Sequence, residues 1–427
     1  MQIEKLYQYY LQYPSVETDT RKLKAGDIFF ALKGPSFNGN TFAKKALDAG
    51  AAYVVVDEDP GFSDPRILQT EDVLTTLQQL AGYHRSQLNI PVIAITGSNG
   101  KTTTKELVHV VLSSTFKTYT TQGNLNNHIG IPLTLLRIQK DAELAVIEMG
   151  ANHLKEIEGY CIYTAPTHGI ITNCGKAHLE GFGGIEGVRK GKGELYDYLR
   201  LHYGTAFVMW DYDYLREMSK GILHIHTYGT SATEVIGKVQ KSEPFLDVSL
   251  VHPVNDILIQ TNLVGEYNLP NVLAAISVGR YFKVSDENIK NAIVQYAPSN
   301  SRSQLIEKGD NKIILDAYNA NPSSMKAAIE NFSKVQDKQK ILVLGAMMEL
   351  GPESVEEHKA LIGLIQQYTW ANVILVGGDF AGLEHSFLYF NNATEAGNWV
   401  KQHLTGGTTY LIKGSRSMKM ETIVDIF

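Results

Sequence analysis

Residues 93–106 place a glycine-rich turn between an apolar run and a stretch with helical character. That order is typical of a buried strand, a turn and a helix in an α/β domain. Such a turn aims backbone N–H groups at phosphate oxygens, while Lys101 supplies a charge and Thr102 a hydroxyl for magnesium. We therefore predict nucleotide binding here, with a purely structural turn as the alternative, through Gly97, Ser98, Asn99, Gly100, Lys101, Thr102 and Thr103.

The loop is shorter than the usual phosphate-binding signature. That signature has about four residues between its first glycine and the Gly-Lys pair. Here only Ser98 and Asn99 separate Gly97 from Gly100.

Composition limits the class of protein. The 427 residues suffice for about two to four domains. A net charge of −6 argues against general attraction to nucleic acid. No apolar run approaches the roughly 18–20 residues that span a bilayer, and no secretory signal is recognisable at the start. Two cysteines are too few for a disulfide framework or a zinc site. We expect a cytoplasmic protein without a membrane span.

Three α/β domains are predicted. Residues 1–88 form a small N-terminal α/β domain, with strands near 26–32 and 51–57. In residues 89–300, alternating apolar and amphipathic stretches predict a mainly parallel sheet covered by helices, with an antiparallel segment near 235–260. Residues 301–427 are predicted to form a C-terminal Rossmann-like, doubly wound α/β unit.

Several candidate site residues follow predicted strands. In an open α/β sheet, ligands bind beyond the carboxyl ends of the strands. Glu148 ends the strand at 144–148 and is a candidate magnesium ligand, or else a solvated strand end or cap partner. His178 follows the strand at 169–172 on the same rim, although a lone loop histidine is usually a surface residue. Lys192 lies in a helical stretch whose charges could equally form a solvated face.

Further candidates lie downstream. Asn268 and Asn271 are three residues apart at a helix start, where both could contact a purine edge, although Asn268 could instead cap the helix. Two loops that follow apolar strands are also candidates for ligand contact. They contain Asp316, Asn319 and Asn321, and then Lys413 and Arg416, which could hold a carboxylate or satisfy nearby groups.

Together these segments resemble the Mur ligase family, the ATP-dependent amide ligases of peptidoglycan precursor synthesis. That family's phosphate loop is similarly short. Residues 18–21 and 26–34 resemble its N-terminal domain, which holds the UDP-sugar end of the substrate. The segments most similar to the members that add D-alanyl-D-alanine are residues 123–132, 148–150, 318–322, 345–351 and 413–416.

The resemblance implies an ATP-binding central domain and specific roles at the site. It implies that Lys101, Glu148, His178 and Lys192 are catalytic, and that Lys192 is carbamylated by carbon dioxide. The carbamate, with Thr102, Glu148 and His178, would help hold two magnesium ions. Asn268 and Asn271 would face adenine, with Arg302 and Asp316 on the C-terminal side of the ATP site. The implied substrate-binding residues are Thr18, Asp19, Thr20, Arg21, Asn124, Asn126, Asn127, Asn319, Asn321, Lys413 and Arg416.

Three positions depart from the family pattern. Tyr267 stands where a histidine commonly precedes the first adenine-side asparagine. Leu315 replaces one of two successive acidic residues and leaves Asp316 alone. The segment at residues 18–21 has threonine where serine is usual, which keeps the hydroxyl.

The implied reaction joins D-Ala-D-Ala to UDP-MurNAc-tripeptide through an acyl phosphate and releases ADP and phosphate. The resemblance also implies a monomer that binds no nucleic acid. Within the ligases, the alternatives are the diamino-acid-adding enzyme of the preceding step and a folylpolyglutamate-synthase-like enzyme. A phosphate-binding kinase, a GTPase and a catalytically silent homologue are further alternatives. The absence of an Asn-Lys-x-Asp motif disfavours the GTPase.

Overall fold

A computed structural model describes residues 1–251, 256–299, 301–337, 339–403 and 405–427. Part of the predicted antiparallel segment, residues 252–255, and the predicted domain boundary at residue 300 lie outside the described residues. No helix of the described chain is long and apolar enough to cross a membrane.

The N-terminal region contains a four-stranded parallel sheet in the order β1-β2-β5-β6, and a separate hairpin of β3 and β4. The predicted strands near 26–32 and 51–57 are present as β2 and β5. The strands are β1 (Val16–Glu17), β2 (Ile28–Phe30), β3 (Lys33–Gly34), β4 (Phe37–Asn38), β5 (Tyr53–Val56) and β6 (Ile67–Gln69). The helices are α1 (Ile3–Gln12), α2 (Ala43–Asp48) and α3 (Val73–Ser86).

The central region contains a nine-stranded sheet in the order β15-β14-β13-β12-β11-β10-β7-β9-β8. It is parallel from β8 to β13, and β14 and β15 pair antiparallel at the far edge, as predicted. The strands are β7 (Val92–Thr96), β8 (Thr118–Thr120), β9 (Leu144–Glu148), β10 (His168–Ile171), β11 (Thr205–Met209), β12 (His224–Gly229), β13 (Val235–Lys241), β14 (Asp247–Leu250) and β15 (Ile257–Gln260).

Helices cover the parallel part of this sheet, so every residue of β7, β9 and β10 is buried. The helices are α4 (Lys101–Ser113), α5 (Gly130–Leu135), α6 (Glu156–Thr164), α7 (Leu179–Phe182), α8 (Ile185–Leu201), α9 (Asp213–Ser219), α10 (Leu269–Tyr281) and α11 (Asp286–Gln295).

The C-terminal region contains a six-stranded sheet in the order β16-β17-β21-β18-β19-β20, parallel except for β16. The strands are β16 (Gln304–Lys308), β17 (Asn311–Asp316), β18 (Gln339–Gly345), β19 (Asn372–Val376), β20 (Leu388–Phe390) and β21 (Thr408–Lys413). The helices are α12 (Pro322–Ser333), α13 (Ser354–Ile365) and α14 (Ala393–Gln402).

The end of α3 fastens the N-terminal region to the central one. The Arg85 guanidinium is buried and donates hydrogen bonds to the carbonyls of Leu88, Ile90, Thr164 and Ala165, at 2.7, 3.3, 3.0 and 3.1 Å. The neighbouring His84 ring contacts the Ile138 carbonyl at 2.8 Å. A buried cation with several carbonyl acceptors fixes an orientation, because each acceptor would otherwise be unsatisfied.

The substitution Arg85→Met should therefore destabilise the protein. It leaves four carbonyls without their donor, and we expect the melting temperature to fall by about 5–10 °C. The control is Arg66→Met, which breaks a partly exposed ion pair with Asp64 and should have little effect. Equal melting temperatures for the two variants, measured by calorimetry, would contradict this role of Arg85.

Candidate functional site

The carboxyl ends of β7, β9 and β10 open into a cavity of about 750 Å³ between the central and C-terminal regions. Parallel neighbours in a sheet end on the same side, so the segments that follow these three strands meet there. The cavity wall contains the phosphate loop, Glu148 and His178, with Asn319 and Asn321 opposite. The structure therefore brings together residues that are far apart in sequence.

The phosphate loop turns through two glycines with positive φ. Gly97 has φ +142°, and Gly100, the residue before α4, has φ +78°. A Cβ on Gly100 would lie 2.5 Å from Oδ1 of Asn271, so only glycine fits at this position. The first N–H groups of α4 have no acceptor within the helix, and they belong to residues that line the cavity.

Lys101 lies at the start of α4 and points back over the loop. Its Nζ donates hydrogen bonds to the carbonyls of Gly97 at 2.7 Å and Ser98 at 3.1 Å. Burial lowers the pKa of Lys101 to about 8. A bound anion would reverse this shift, because an opposite charge favours the protonated amine.

Lys192 belongs to α8, and its side chain is buried, with a relative exposure of 1%. Its Nζ donates a hydrogen bond to the Ala151 carbonyl at 3.0 Å and lies 5.0 Å from the centre of the Phe182 ring. Burial, and next the charge of Lys101, lower the pKa of Lys192 to about 7. The alternative of a solvated charged face is therefore wrong for Lys192, although it holds for the exposed Lys190.

The two glycines that flank Lys192 differ in their packing. A Cβ on Gly191 would lie 2.4 Å from the Phe182 ring, so close approach of α7 requires glycine there. A Cβ on Gly193 would meet only Met218 at an ordinary 3.5 Å, and nothing in the packing requires glycine at that position.

The buried Glu148 carboxylate has one oxygen that accepts a hydrogen bond and one that does not. Asn126 Nδ2 donates a hydrogen bond to its Oε1 at 2.7 Å, whereas its Oε2 has no hydrogen-bond partner among the described residues. A buried carboxylate oxygen without a donor is costly, and a cation is the partner that it lacks. Neither a solvated strand end nor a cap describes this side chain, which is 2% exposed.

His178 has φ +53° and extends towards the C-terminal region, where its Nδ1 lies 2.5 Å from Glu349 Oε2. The contact with His178 lowers the pKa of Glu349. Within the described residues, no group of three or more His, Cys, Asp and Glu side chains could hold a metal ion. Glu148 and Thr102 both line the cavity, and carboxylate and hydroxyl oxygens are ligand types that suit a magnesium ion completing its shell with water and phosphate.

Asn268 and Asn271 both line the cavity, but each is engaged within the protein. Asn271 Nδ2 donates to Asn268 Oδ1 at 2.8 Å, and Asn271 Oδ1 accepts from Thr104 Oγ1 at 3.0 Å. Asn268 Nδ2 donates to the Val264 carbonyl at 2.9 Å, and its side chain does not cap α10. The capping alternative for Asn268 is therefore wrong.

On the C-terminal side, Asp316 pairs with Lys413. The two side chains approach to 2.5 Å across β17 and β21, and Lys413 is only 2% exposed. Lys413 thus has a carboxylate partner within the protein, which favours the alternative that it satisfies nearby groups; its role in substrate binding stays a prediction. Arg302 stacks on the Tyr318 ring at 3.6 Å, and the exposed Arg416 lies 5.5 Å from the same ring.

The C-terminal region contacts the phosphate loop directly. Asn321 caps α12 by accepting from Ser324 N, and its Nδ2 donates to Asn99 Oδ1 at 2.7 Å. Ser323 Oγ accepts from Lys176 N at 2.9 Å. Tyr267, at the first departure from the family pattern, bonds Ser303 Oγ at 2.9 Å and so adds another contact between the two regions.

Some of the other predicted substrate-binding residues line this cavity and some do not. Asn126 and Asn127 line it, whereas Asn124 and Arg416 do not. Asn127 Oδ1 accepts from Gly130 N at 2.8 Å, at the start of α5. Residues Thr18, Asp19, Thr20 and Arg21 follow β1 in the N-terminal region, away from the cavity wall, and Asp19 pairs with Arg21.

Sequence reasoning gave no role to Thr172, Asn173, Tyr318 or Glu349. Asn173, Tyr318 and Glu349 line the cavity, and Thr172 contacts the phosphate loop. Thr172 and Asn173 directly follow β10, so the strand-end rule that identified Glu148 also selects them. Glu349 has φ +63° in a loop of the C-terminal region, and only the fold brings it to His178.

Models of three protein domains match the chain in order. The model described as the Mur ligase family, catalytic domain, matches residues 12–83. The Mur ligase middle domain matches residues 95–279, and the glutamate ligase domain of Mur ligases matches residues 301–416. The predicted three-domain α/β class is confirmed, while the exact boundaries at 88 and 300 stay predictions.

Relatives match over almost the whole chain. The UDP-N-acetylmuramoyl-tripeptide–D-alanyl-D-alanine ligase of Bacillus subtilis is 34% identical and covers 96% of this chain and 92% of its own. A crystal structure of MurF from Acinetobacter baumannii is 31% identical with a TM-score of 0.87, covering 96% and 92%. MurF from Thermotoga maritima in complex with ADP is 25% identical with a TM-score of 0.88, covering 98% and 97%.

The domain models and the relatives point to the same family as the site does. That family was indicated by the shortened phosphate loop, by the site residues at strand ends and by the order of the three domains. The chain belongs to the Mur ligase family.

Proposed function

We propose that the protein is an ATP-dependent ligase that joins D-Ala-D-Ala to UDP-MurNAc-tripeptide in peptidoglycan precursor synthesis. The observation that carries this proposal is the cavity in which the phosphate loop, Glu148 and His178 meet the C-terminal region. It is supported by relatives of the same named activity that match along nearly the whole chain.

The chemistry requires an activated carboxylate, because hydroxide is a poor leaving group. A carboxylate oxygen of the tripeptide attacks the γ-phosphorus of ATP, the bond to ADP breaks, and an acyl phosphate forms. The neutral amine of the dipeptide then attacks the acyl carbon. The tetrahedral intermediate expels phosphate, the amine loses a proton, and the amide remains.

Two anions must approach each other before the first step, and the cavity contains cations that reduce their repulsion. Lys101 and the N-terminus of α4 are positioned for the phosphates. Arg302, stacked on Tyr318, lines the cavity from the C-terminal side. Lys101 would exchange its two loop carbonyls for phosphate oxygens, a stronger interaction because both partners are charged.

Magnesium, when bound, would neutralise charge on the phosphates. Thr102 and Glu148 would hold it, since both line the cavity and Glu148 Oε2 has no hydrogen-bond partner in the part of the chain that the structure describes. A second ion would need a further anionic ligand, because no group of three or more His, Cys, Asp and Glu side chains among the described residues could hold a metal ion.

Lys192 would supply that ligand as a carbamate. A neutral amine attacks the carbon of carbon dioxide, an N–C bond forms, one proton leaves and an anion results. Lys192 meets the requirement because it is buried, has no ion-pair partner among the described residues and has a lowered pKa. Conversion to an anion also replaces its repulsion from Lys101 with attraction.

We propose that each of the predicted domains binds a different substrate. Residues 1–88 would bind the UDP-sugar end through Thr18, Asp19, Thr20 and Arg21. Residues 89–300 would bind ATP, with Asn268 and Asn271 beside adenine, and residues 301–427 would bind the dipeptide near Asn319 and close over ATP. We also propose that the protein is a monomer, active in the cytoplasm in cell-wall biogenesis and so in cell shape and division.

Phosphate release should require ATP, UDP-MurNAc-tripeptide and D-Ala-D-Ala together. The test is a phosphate-release assay with several substrate pairs. UDP-muramoyl dipeptide and UDP-muramoyl tripeptides are each combined with free diamino acids and with D,D-dipeptides. A folate is combined with glutamate in a separate reaction. The expected signal appears only with a tripeptide and D-Ala-D-Ala. Turnover with the muramoyl dipeptide and a diamino acid, or with a folate and glutamate, would identify a different ligase.

The substitution Lys192→Ala should lower ligase activity by about a hundredfold or more, because it removes an electrostatic stabiliser of the site. Bicarbonate or a short carboxylic acid should partly restore activity, since the space that the side chain leaves can accept a small anion. Lys190→Ala, an exposed change on the same helix, is the matched control. A fully active Lys192→Ala variant, or a folded inactive variant that no small anion rescues, would refute the carbamate role.

A further inference from the structure

The two residues that follow β10 hold the phosphate loop at Asn99. Thr172 Oγ1 donates to the Asn99 carbonyl at 2.6 Å, and Asn173 Nδ2 donates to the same oxygen at 3.1 Å. Asn173 Oδ1 accepts from Asn99 N at 3.0 Å. The Asn173 backbone carbonyl accepts from Ser98 N at 2.9 Å. The carboxamide of Asn173 thus pairs with both backbone groups of Asn99, as a peptide unit of a neighbouring strand would.

This arrangement decides which loop N–H groups are left for a ligand. In a phosphate-binding loop of ordinary length, the loop's own backbone surrounds the phosphate. Here the N–H groups of Ser98 and Asn99 donate to Asn173 instead. The donors available to phosphate are those of Gly100 and the first residues of α4, and no bond from Gly100 N is seen in the described part of the chain.

The approach of the strand end to the loop is close. A Cβ on Gly97 would lie 2.0 Å from Thr172 Oγ1, so the hydroxyl occupies the space that a side chain would need. Thr172 is 4% exposed, and its hydroxyl also lies 3.3 Å from the Thr96 carbonyl. The Thr172 side chain is therefore directed into the loop and away from solvent.

We propose that Thr172 and Asn173 are positioning residues that hold the shortened loop in the form that binds the triphosphate of ATP. These two residues follow β10, which neighbours β7 in the sheet. They supply the peptide-like contacts that the two missing loop residues would otherwise make. A loop held in its binding form before the ligand arrives loses less conformational freedom on binding. The inference rests on the proposed function only in taking ATP as the ligand.

Matched variants at residue 172 test this inference. Thr172→Val keeps the shape but loses the hydroxyl donor, whereas Thr172→Ser keeps the donor. Asn173→Leu removes both side-chain contacts to Asn99. The measurements are the affinity for a fluorescent ATP analogue with magnesium, the KM for ATP against the KM for D-Ala-D-Ala, and amide hydrogen exchange of residues 97–103 without nucleotide.

We expect Thr172→Val to weaken ATP binding about fivefold and Asn173→Leu about tenfold or more, according to the hydrogen bonds lost. Thr172→Ser should stay within about twofold of the unmodified protein. The KM for the dipeptide should not change, and exchange of the Ser98 and Asn99 amides should accelerate in Thr172→Val and Asn173→Leu.

Unchanged ATP affinity and unchanged amide exchange in folded Thr172→Val and Asn173→Leu would overturn the inference. Equal losses in Thr172→Ser and Thr172→Val, with equally lowered melting temperatures, would also overturn it by indicating a merely structural role. Failure of the unmodified protein to bind ATP would instead refute the proposed function, and the exchange rates would still test the contacts at Asn99.

Discussion

The site depends on two amines, Lys101, which is partly buried, and Lys192, which is buried, that form no ion pair with a carboxylate within the described residues. Lys101 donates only to carbonyls of its own loop, and Lys192 only to the carbonyl of Ala151, within the described residues. Burying a charge without an opposite charge is costly, and both amines have lowered pKa values as a result. In our proposal, negative charge from two ligands completes the electrostatics of the site. A triphosphate binds beside Lys101, and carbon dioxide converts Lys192 into an anionic carbamate.

The fold keeps these charges unpaired by bringing the ends of three strands to one cavity, which the C-terminal region covers. Glu148 brings a bare oxygen, and β10 brings the contacts that support the short loop. The C-terminal region reaches the same loop through Asn321 and reaches His178 through Glu349. Both of these cross-domain contacts are polar, and the Arg85 guanidinium fastens the N-terminal region to carbonyls of the central one.

Much of this was predictable from the sequence, because parallel strands place the residues that follow them on one edge. The positions of Lys101, Glu148 and His178 follow from that rule. The pairing of Lys413 with Asp316 was not predictable, since it depends on β17 and β21 being neighbours across nearly one hundred residues. The bond between Asn271 and Thr104 likewise requires knowing how α10 packs on α4. The substrate roles of residues 18–21 stay predictions, because the cavity does not include them.

The most direct test of the account is proton uptake when a non-hydrolysable ATP analogue binds with magnesium. The pKa of Lys101 is lowered to about 8 in the free protein, and bound phosphate should raise it. Calorimetry at pH 8.5 in two buffers of different ionisation enthalpy should therefore detect net proton uptake, which should fade below about pH 7, where the amine is already protonated. Binding without proton uptake at any pH between about 7 and 9 would contradict the claim that an uncompensated buried amine receives the nucleotide.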